Sequence, residues 1–349
     1  MIENTNTDRT EISGLGEFGL IDHLTREIKI VNASTVKGVG DDAAVIDNTG
    51  FQTLVSVDLL VEGVHFDLSY TPLRHLGYKA AAVNISDIAA MNGTARQMVV
   101  GIALSNRFSL EAVEEIYEGI RMACKRYNVD LVGGDTTSSK SGLFLSVTVI
   151  GQAKTEDVCY RSGAKTGDLL CVTGDLGSAY MGLLLLEREK AVFKANPQAQ
   201  PDLEGHDYVL ERQLKPEPRA DMVQILRDAN VKPTSMIDIS DGLASEILHL
   251  CKASETGCQI YEDKLPIDIT TLNLAEEFKM IPAIAALNGG EDYELLFTVS
   301  QSDFEKVRKM EGISIIGHMT ANIGQAHMVT NDGQFIELTA QGWDALKKN

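Results

Sequence analysis

Along the chain, stretches whose apolar residues recur every three or four positions alternate with short runs in which they recur every second position. The first helical pattern starts at Glu17, with Phe18, Ile21 and Leu24 on one face. After the turn Gly38-Val39-Gly40-Asp41-Asp42, the apolar run Ala43–Ile46 predicts a strand. A second strand is predicted over Gln52–Asp58, where the period of two puts Leu54, Ser56 and Asp58 on one face. Ser56 and Asp58 can therefore point at one site from the strand's end. Pro72–Met91 predicts a helix with proline at its start. Its stripe Leu76, Ala80, Val83, Asp87 is small and apolar until the acid, so Asp87 is expected to point inward, toward a metal site or a backbone amide. A strand over Val99–Leu104, a helix over Glu111–Tyr127 (Val113, Ile116, Ile120 and Ala123 at helical spacing), a short strand Val129–Val132 ending in a glycine turn, and a strand Leu143–Ile150 follow. This alternation indicates an α/β first domain ending near Gly151.

Beyond it, Leu169–Thr173 reads as a strand that turns through Gly174-Asp175-Leu176-Gly177-Ser178 into a helix over Ala179–Glu187. Strand, glycine turn and helix start make an anion site in principle, with simple capping as the alternative. Glu189–Asp207 is polar and irregular, and Pro216-Glu217-Pro218-Arg219 is a rigid connector. Met236–Asp241 leads into a helix over Leu243–Ala253. Gly289-Gly290-Glu291-Asp292-Tyr293-Glu294 opens a strand at Leu295–Val299, and Ile313–Ile316 and Phe335–Leu338 are late strands. The expectation is two domains, residues 1–151 and 152–349.

Composition narrows the function classes. Against 31 basic residues stand 50 acidic ones, a net charge of −19, which disfavours nucleic acid or an anionic membrane face as partner. Five cysteines with no Cys-x-x-Cys spacing read as reduced thiols. The polar start, lacking a signal sequence, and the absence of any apolar run near the roughly 20 residues of a membrane span point to the cytoplasm.

The candidate chemistry lies in acids at turns. Asp41-Asp42 recurs in kind as Ser56-Val57-Asp58, Asn84-Ile85-Ser86-Asp87, Gly133-Gly134-Asp135 and Asp238-Ile239-Ser240-Asp241. Burying adjacent acids uncompensated is costly, so something cationic belongs there. An all-oxygen donor set without paired His or Cys suits magnesium over zinc or copper, and magnesium shared by carboxylates is the usual holder of nucleotide phosphates. The Gly-Lys-Ser/Thr phosphate loop, the dinucleotide fingerprint and a nucleophile elbow are all missing. The residues alone thus point to a magnesium–ATP phosphotransferase.

In order and over nearly the whole chain, these motifs resemble the thiamine-monophosphate kinase family, within the superfamily of aminoimidazole ribonucleotide synthetase and selenophosphate synthetase. The resemblance rests on Gly40-Asp41-Asp42, Asp58-Leu59-Leu60-Val61-Glu62-Gly63-Val64-His65-Phe66, Lys79–Asp87, Gly133–Thr137, Arg161-Ser162-Gly163-Ala164, Ile237–Leu243 and Gly290–Leu295. It implies transfer of the ATP γ-phosphoryl group directly to thiamine monophosphate, giving thiamine diphosphate. It implies several magnesium ions held by Asp42, Ser56, Asp58, Asp87, Asp135, Asp238 and Asp241, with Val57 at a position where Thr is frequent. If that position ligates through its side chain, the ligand is lost; a backbone carbonyl would serve unchanged. ATP would be touched by Gly134, Asp135, Arg161, Ser240 and Tyr117, and the thiamine substrate by His65, Glu291 and Trp343. Among these, Asp42, Asp87 and Asp238 would be the catalytic acids. The implied fold is α/β (α+β), two domains of the aminoimidazole ribonucleotide synthetase type, the N-terminal sheet joining its mate across a homodimer. Competing readings are another ATP-dependent enzyme of that superfamily, disfavoured by the lack of any Cys before Cys124 and by His65-Phe66, and a silent nucleotide binder, which predicts eroded acids.

Overall fold

The structure, a computed structural model, describes residues 35–37, 41–42 and 44–341. The helix expected at Glu17 and the candidate Trp343 lie outside the described residues.

The N-terminal half builds one mixed sheet and two helices. The elements are β1 (Thr35–Lys37), β2 (Ala44–Asn48), β3 (Phe51–Val61), α1 (Leu73–Ala90), β4 (Thr94–Leu104), α2 (Leu110–Tyr127), β5 (Asp130–Ser138) and β6 (Leu143–Lys154). The strand order is β1-β2-β3-β6-β4-β5. All pairs are antiparallel except β4 with β5. Alternate residues of β6, Leu143, Leu145, Val147 and Val149, are buried beneath the helices, as the period of two requires. The helix α1 starts at Pro72, whose missing N–H falls where no helical bond is made. The Ser109 hydroxyl caps α2 by accepting from the Ala112 N–H at 3.3 Å. The two helices touch backbone to backbone. A Cβ on Gly77 would lie 1.9 Å from the Ile116 carbonyl oxygen, and one on Gly119 1.9 Å from that of Arg74. Nothing larger than glycine fits at either point.

The C-terminal half contributes β7 (Leu169–Thr173), α3 (Ser178–Ala195), α4 (Asp207–Leu214), α5 (Ala220–Asp228), β8 (Ser235–Asp238), α6 (Leu243–Ser254), β9 (Gly257–Tyr261), α7 (Ile269–Glu277), α8 (Pro282–Asn288), β10 (Leu295–Val299), β11 (Ile313–Thr320), β12 (Ala326–Val329) and β13 (Phe335–Glu337). They form a sheet in the order β13-β12-β9-β11-β7-β10-β8. Its central strands are buried on both faces, hence their unbroken apolar runs. Leu170, Val172, Ile237 and Leu296 pack with α6 on one side. Cys171, Met236, Leu295, Phe297 and Val299 face the other, where α5 supplies Met222, Val223 and Leu226 and α1 supplies Ala89 and Ala90. The far end of α1 therefore sits in the core of the second sheet while its middle covers the first.

Several elements run longer than the sequence predicts, and α4, α5, α7, α8, β9 and β12 are not predicted from it; two departures have a visible cause. The strand at Val129–Val132 does not stop at the glycines but continues as β5 through Gly133, Gly134 and Asp135, an exposed edge strand. Glycine's lack of a side chain permits this, since a Cβ on Gly134 would lie 2.0 Å from the Val100 carbonyl oxygen of β4. The helix after Gly177 runs to Ala195 rather than Glu187, because Glu189 is held inside by Arg188 and by the Asp202 N–H at 2.9 Å.

Candidate active site

Four segments converge where α1 passes between the two sheets. β3 presents Ser56 and Asp58 on its inner face, α1 presents Ser86 and Asp87, the turn before β2 brings Asp41 and Asp42, and the end of β8 brings Asp238. Val57 is 61 % exposed on the opposite face of β3, as strand alternation demands.

Carboxylate oxygens of Asp42, Asp87 and Asp238 all lie within 4.8 Å of one another. Each acid is held by a separate partner. Arg161 donates to Asp42 through two nitrogens, at 3.0 and 2.7 Å, and its backbone N–H donates to Asp41 at 2.8 Å. The Ser56 hydroxyl donates to Asp87, and the Ser86 hydroxyl to Asp238 at 2.6 Å. Packed this closely, Asp87 and Asp238 resist ionisation. Burial, and then the charges of Asp58, Asp238 and Asp42, push Asp87 well above the usual carboxylate range. Burial and then Asp42 do the same to Asp238, and burial lifts Asp58 to about 6. An all-oxygen cluster that repels itself, with one arginine offsetting part of the charge, fits a hard divalent cation.

A second layer of contacts fixes the turn that precedes β10. The Glu291 N–H donates to the Ser240 carbonyl at 2.7 Å, the Tyr293 N–H to Ile239 at 2.8 Å, and the Ile239 N–H to Glu294 at 2.8 Å. The Asp238–Asp241 and Gly290–Glu294 segments are thus zipped together. Glu291 and Tyr293 both take left-handed backbone conformations, at φ 68° and 52°. The Glu294 carboxylate, 2 % exposed, is held by Arg212 and Arg219 at 2.9 Å each and by the Thr173 hydroxyl at 2.5 Å. Asp292 turns the other way, accepting from the Gly177 N–H at 2.8 Å and the Ala179 N–H at 3.4 Å. The start of α3, read from sequence as an anion site, is therefore filled by the protein's own Asp292, whose pKa burial raises to about 7. Beside Asp241, Glu246 accepts from its N–H at 3.0 Å, and burial followed by the Asp241 charge raises this acid well above its ordinary range.

The chain does not gather every candidate. Asp135 on β5 pairs with Gly101 of β4, which pairs with Ser146 of β6, which pairs with Leu59 of β3. It therefore lies three strands, about 14 Å along the sheet, from the Ser56–Asp58 strand. Gly134 lies beside it, and Tyr117 sits half-buried on α2 against the N-terminal core. His65 lies in the turn closing β3, where its Nδ1 accepts from the Val61 N–H at 3.0 Å. Sequence reasoning missed Ser86 as a partner of Asp238, and Lys79 and Gln213, which both donate to Glu291. A signal existed for Lys79, the one charge in the run Tyr78-Lys79-Ala80-Ala81-Ala82-Val83.

Comparison with known proteins places this geometry. Residues 40–153 match the AIR synthase related protein N-terminal domain, and residues 165–329 the corresponding C-terminal domain. The thiamine-monophosphate kinase of Bacillus subtilis (strain 168) is 40 % identical over 340 residues, 95 % of this chain and all of that protein. The chain belongs to the thiamine-monophosphate kinase family. Among solved structures, AaThiL complexed with AMPPCP and TMP superposes with a TM-score of 0.81 at 30 % identity, covering 97 % of this chain and 99 % of that one. The thiamine-monophosphate kinase of Stenotrophomonas maltophilia K279a gives 0.72 at 30 % identity, covering 92 % and 98 %. The thiamine-monophosphate kinase family thus shares with this chain the two-domain α/β arrangement expected from its motifs.

Proposed function

We infer that the protein transfers the γ-phosphoryl group of ATP to the phosphate of thiamine monophosphate, giving ADP and thiamine diphosphate. The observation that carries this is the convergence of Asp42, Asp87 and Asp238 from three separate segments in a chain of this family. Phosphoryl transfer asks a protein for positioning and charge compensation rather than covalent chemistry. Asp42, Asp87 and Asp238, with Ser56, Asp58 and Asp241 around them, would hold magnesium ions; Val57 would add only its carbonyl, its side chain being turned away. Bound magnesium neutralises charge on the transferring phosphoryl group. Ser56 and Ser86 hold the rotamers of Asp87 and Asp238. Arg161, paired with Asp42 at the rim, is placed to serve a phosphate of ATP, with Ser240, Gly134, Asp135 and Tyr117 as further nucleotide contacts. Glu291, His65 and Trp343 take the organic end of the acceptor.

A homodimer completes the site in this reading. Phe51, Val57 and Leu59 share the sheet face turned away from α1 and α2, and Val57 and Leu59 are 61 and 54 % exposed. A second copy covering this face would bring its own β5 edge toward the first copy's acids, which accounts for Asp135 standing apart within one chain. The net charge of −19 argues against nucleic acid or an anionic membrane as partner, and among the described residues no helix is long and apolar enough to cross a membrane. A cytoplasmic setting fits the five thiols and the nucleotide consumed.

The deciding experiment incubates the protein with ATP and magnesium, with and without thiamine monophosphate, and follows ADP and thiamine diphosphate by chromatography. Equimolar ADP and thiamine diphosphate, formed only with the acceptor, are expected. ATP that binds yet is not turned over with thiamine monophosphate would overturn the reading.

A further inference from the structure

Lys79 lies in the first half of α1, only 3 % exposed, surrounded by Tyr78 and the alanines 80–82. An ammonium taken out of water this completely requires a partner. It has two, both from the C-terminal half: the Glu291 Oε2 at 2.6 Å and the Gln213 carbonyl oxygen at 3.1 Å. The Gln213 side-chain amide donates to the same Glu291 oxygen at 2.7 Å. One carboxylate oxygen thus receives two donors, one from each half of the chain. The other, Oε1, takes no hydrogen bond among the described residues, and the Glu291 side chain is 28 % exposed. The backbone supports the same orientation, since Glu291 holds a left-handed conformation and its N–H is bound to Ser240.

Lys79 shares its helix with Ser86 and Asp87. Seven residues separate Lys79 from Ser86, two turns, or about 10.5 Å of rise. One rigid helix therefore carries both the cation that fixes Glu291 and the groups that form the acid cluster. We propose that Lys79, with Gln213, is a positioning pair that turns Glu291 Oε1 toward the acceptor's cationic organic end, so that α1 sets the spacing between acceptor head and reacting phosphate. This rests on the acceptor assignment of Glu291 made above.

The test separates acceptor from nucleotide. Lys79→Met should raise the KM for thiamine monophosphate about ten- to a hundredfold, the worth of a hydrogen bond to a charged group, with the KM for ATP within about twofold of the unchanged protein. Gln213→Leu should move the same constant in the same direction by less. The double variant Lys79→Met/Glu291→Gln, which removes both charges and so keeps the buried site neutral, should match Glu291→Gln alone. Equal rises in the KM for ATP and for thiamine monophosphate would overturn the proposal, as would effects of Lys79→Met and Glu291→Gln that multiply in the double variant. If Glu291→Gln alone leaves the acceptor KM unchanged, the acceptor role of Glu291 fails and the proposal with it. If the unchanged protein does not phosphorylate thiamine monophosphate, it is the proposed function that fails.

Discussion

Replacing Asp87 by Asn should strengthen the metal-free protein while disabling it. Asp87 has oxygens within 4.8 Å of both Asp42 and Asp238. Two unit charges at that distance repel by about 3.5 kcal/mol at an effective dielectric of 20. Arg161 offsets the Asp42 charge, and burial together with the neighbouring acids already raises the Asp87 pKa well above its ordinary range, so only part of this is realised. A gain of about 1–2 kcal/mol is expected, a rise in Tm of about 1–3 °C in a chain of 349 residues. Asn keeps an oxygen to accept from the Ser56 hydroxyl, and its new amide N–H donors face the Asp42 and Asp238 carboxylates, which can accept them. Magnesium–ATP at a hundred times its Kd should stabilise the unchanged protein by about 2.7 kcal/mol and the variant far less, so the order of the two melting curves inverts on addition. Thermal melts in EDTA and in magnesium–ATP, with turnover measured in parallel, test both halves; turnover should drop at least about a hundredfold. A variant that melts lower than the unchanged protein in EDTA, yet gains equally from magnesium–ATP, would refute the reasoning.

Further expectations can be checked together. Changing Val57 and Leu59 to Asp should convert a dimer to a monomer in sedimentation experiments and abolish turnover. Mixing inactive Asp87→Asn and Asp135→Asn proteins should restore about a quarter of the activity if Asp135 reaches across the dimer, and none if it acts within its own chain. Because the folded protein raises Asp58 from 3.8 to about 6, and raises Asp87 and Asp238 well above their ordinary range, it binds protons more tightly than the unfolded chain. The stability these groups contribute is present below pH 3.8 and lost as pH rises through about 6 and beyond, and melts in EDTA between pH 5 and 8 should fall accordingly. Saturating magnesium–ATP should reverse that slope. Arg219→Leu leaves the buried Glu294 with Arg212 as its remaining cationic partner and should cost about 3 kcal/mol, read from urea unfolding.

What the sequence disclosed follows from which constraints are local. Strand alternation already separates Ser56 and Asp58 from Val57, and the helical stripe ending in Asp87 already points that acid inward, because both depend only on backbone period. The glycine-bearing Asp135 segment was misread as a turn because glycine signals a turn and a close strand contact equally well, and only the Val100 carbonyl distinguishes them. Asp292 at the start of α3, Gln213 beside Glu291, and Arg212 with Arg219 on Glu294 join residues 75–115 positions apart in the chain. No periodicity carries such pairings. Lys79 is intermediate: its burial is legible from the alanines around it, its partner is not.

The placement of Ala89 and Ala90 of α1 against Phe297 has a consequence for synthesis. The ribosome releases the first sheet whole once Lys154 has emerged; Ile88 can then pack on it, but Ala89 and Ala90 still lack their partners in the second sheet. That apolar pair stays open until β8 and β10 arrive, and Asp87 waits for Asp238 until β8 has been made. A nascent chain can therefore build its N-terminal sheet early, yet it gains a complete acid cluster only after two-thirds of its length has been made.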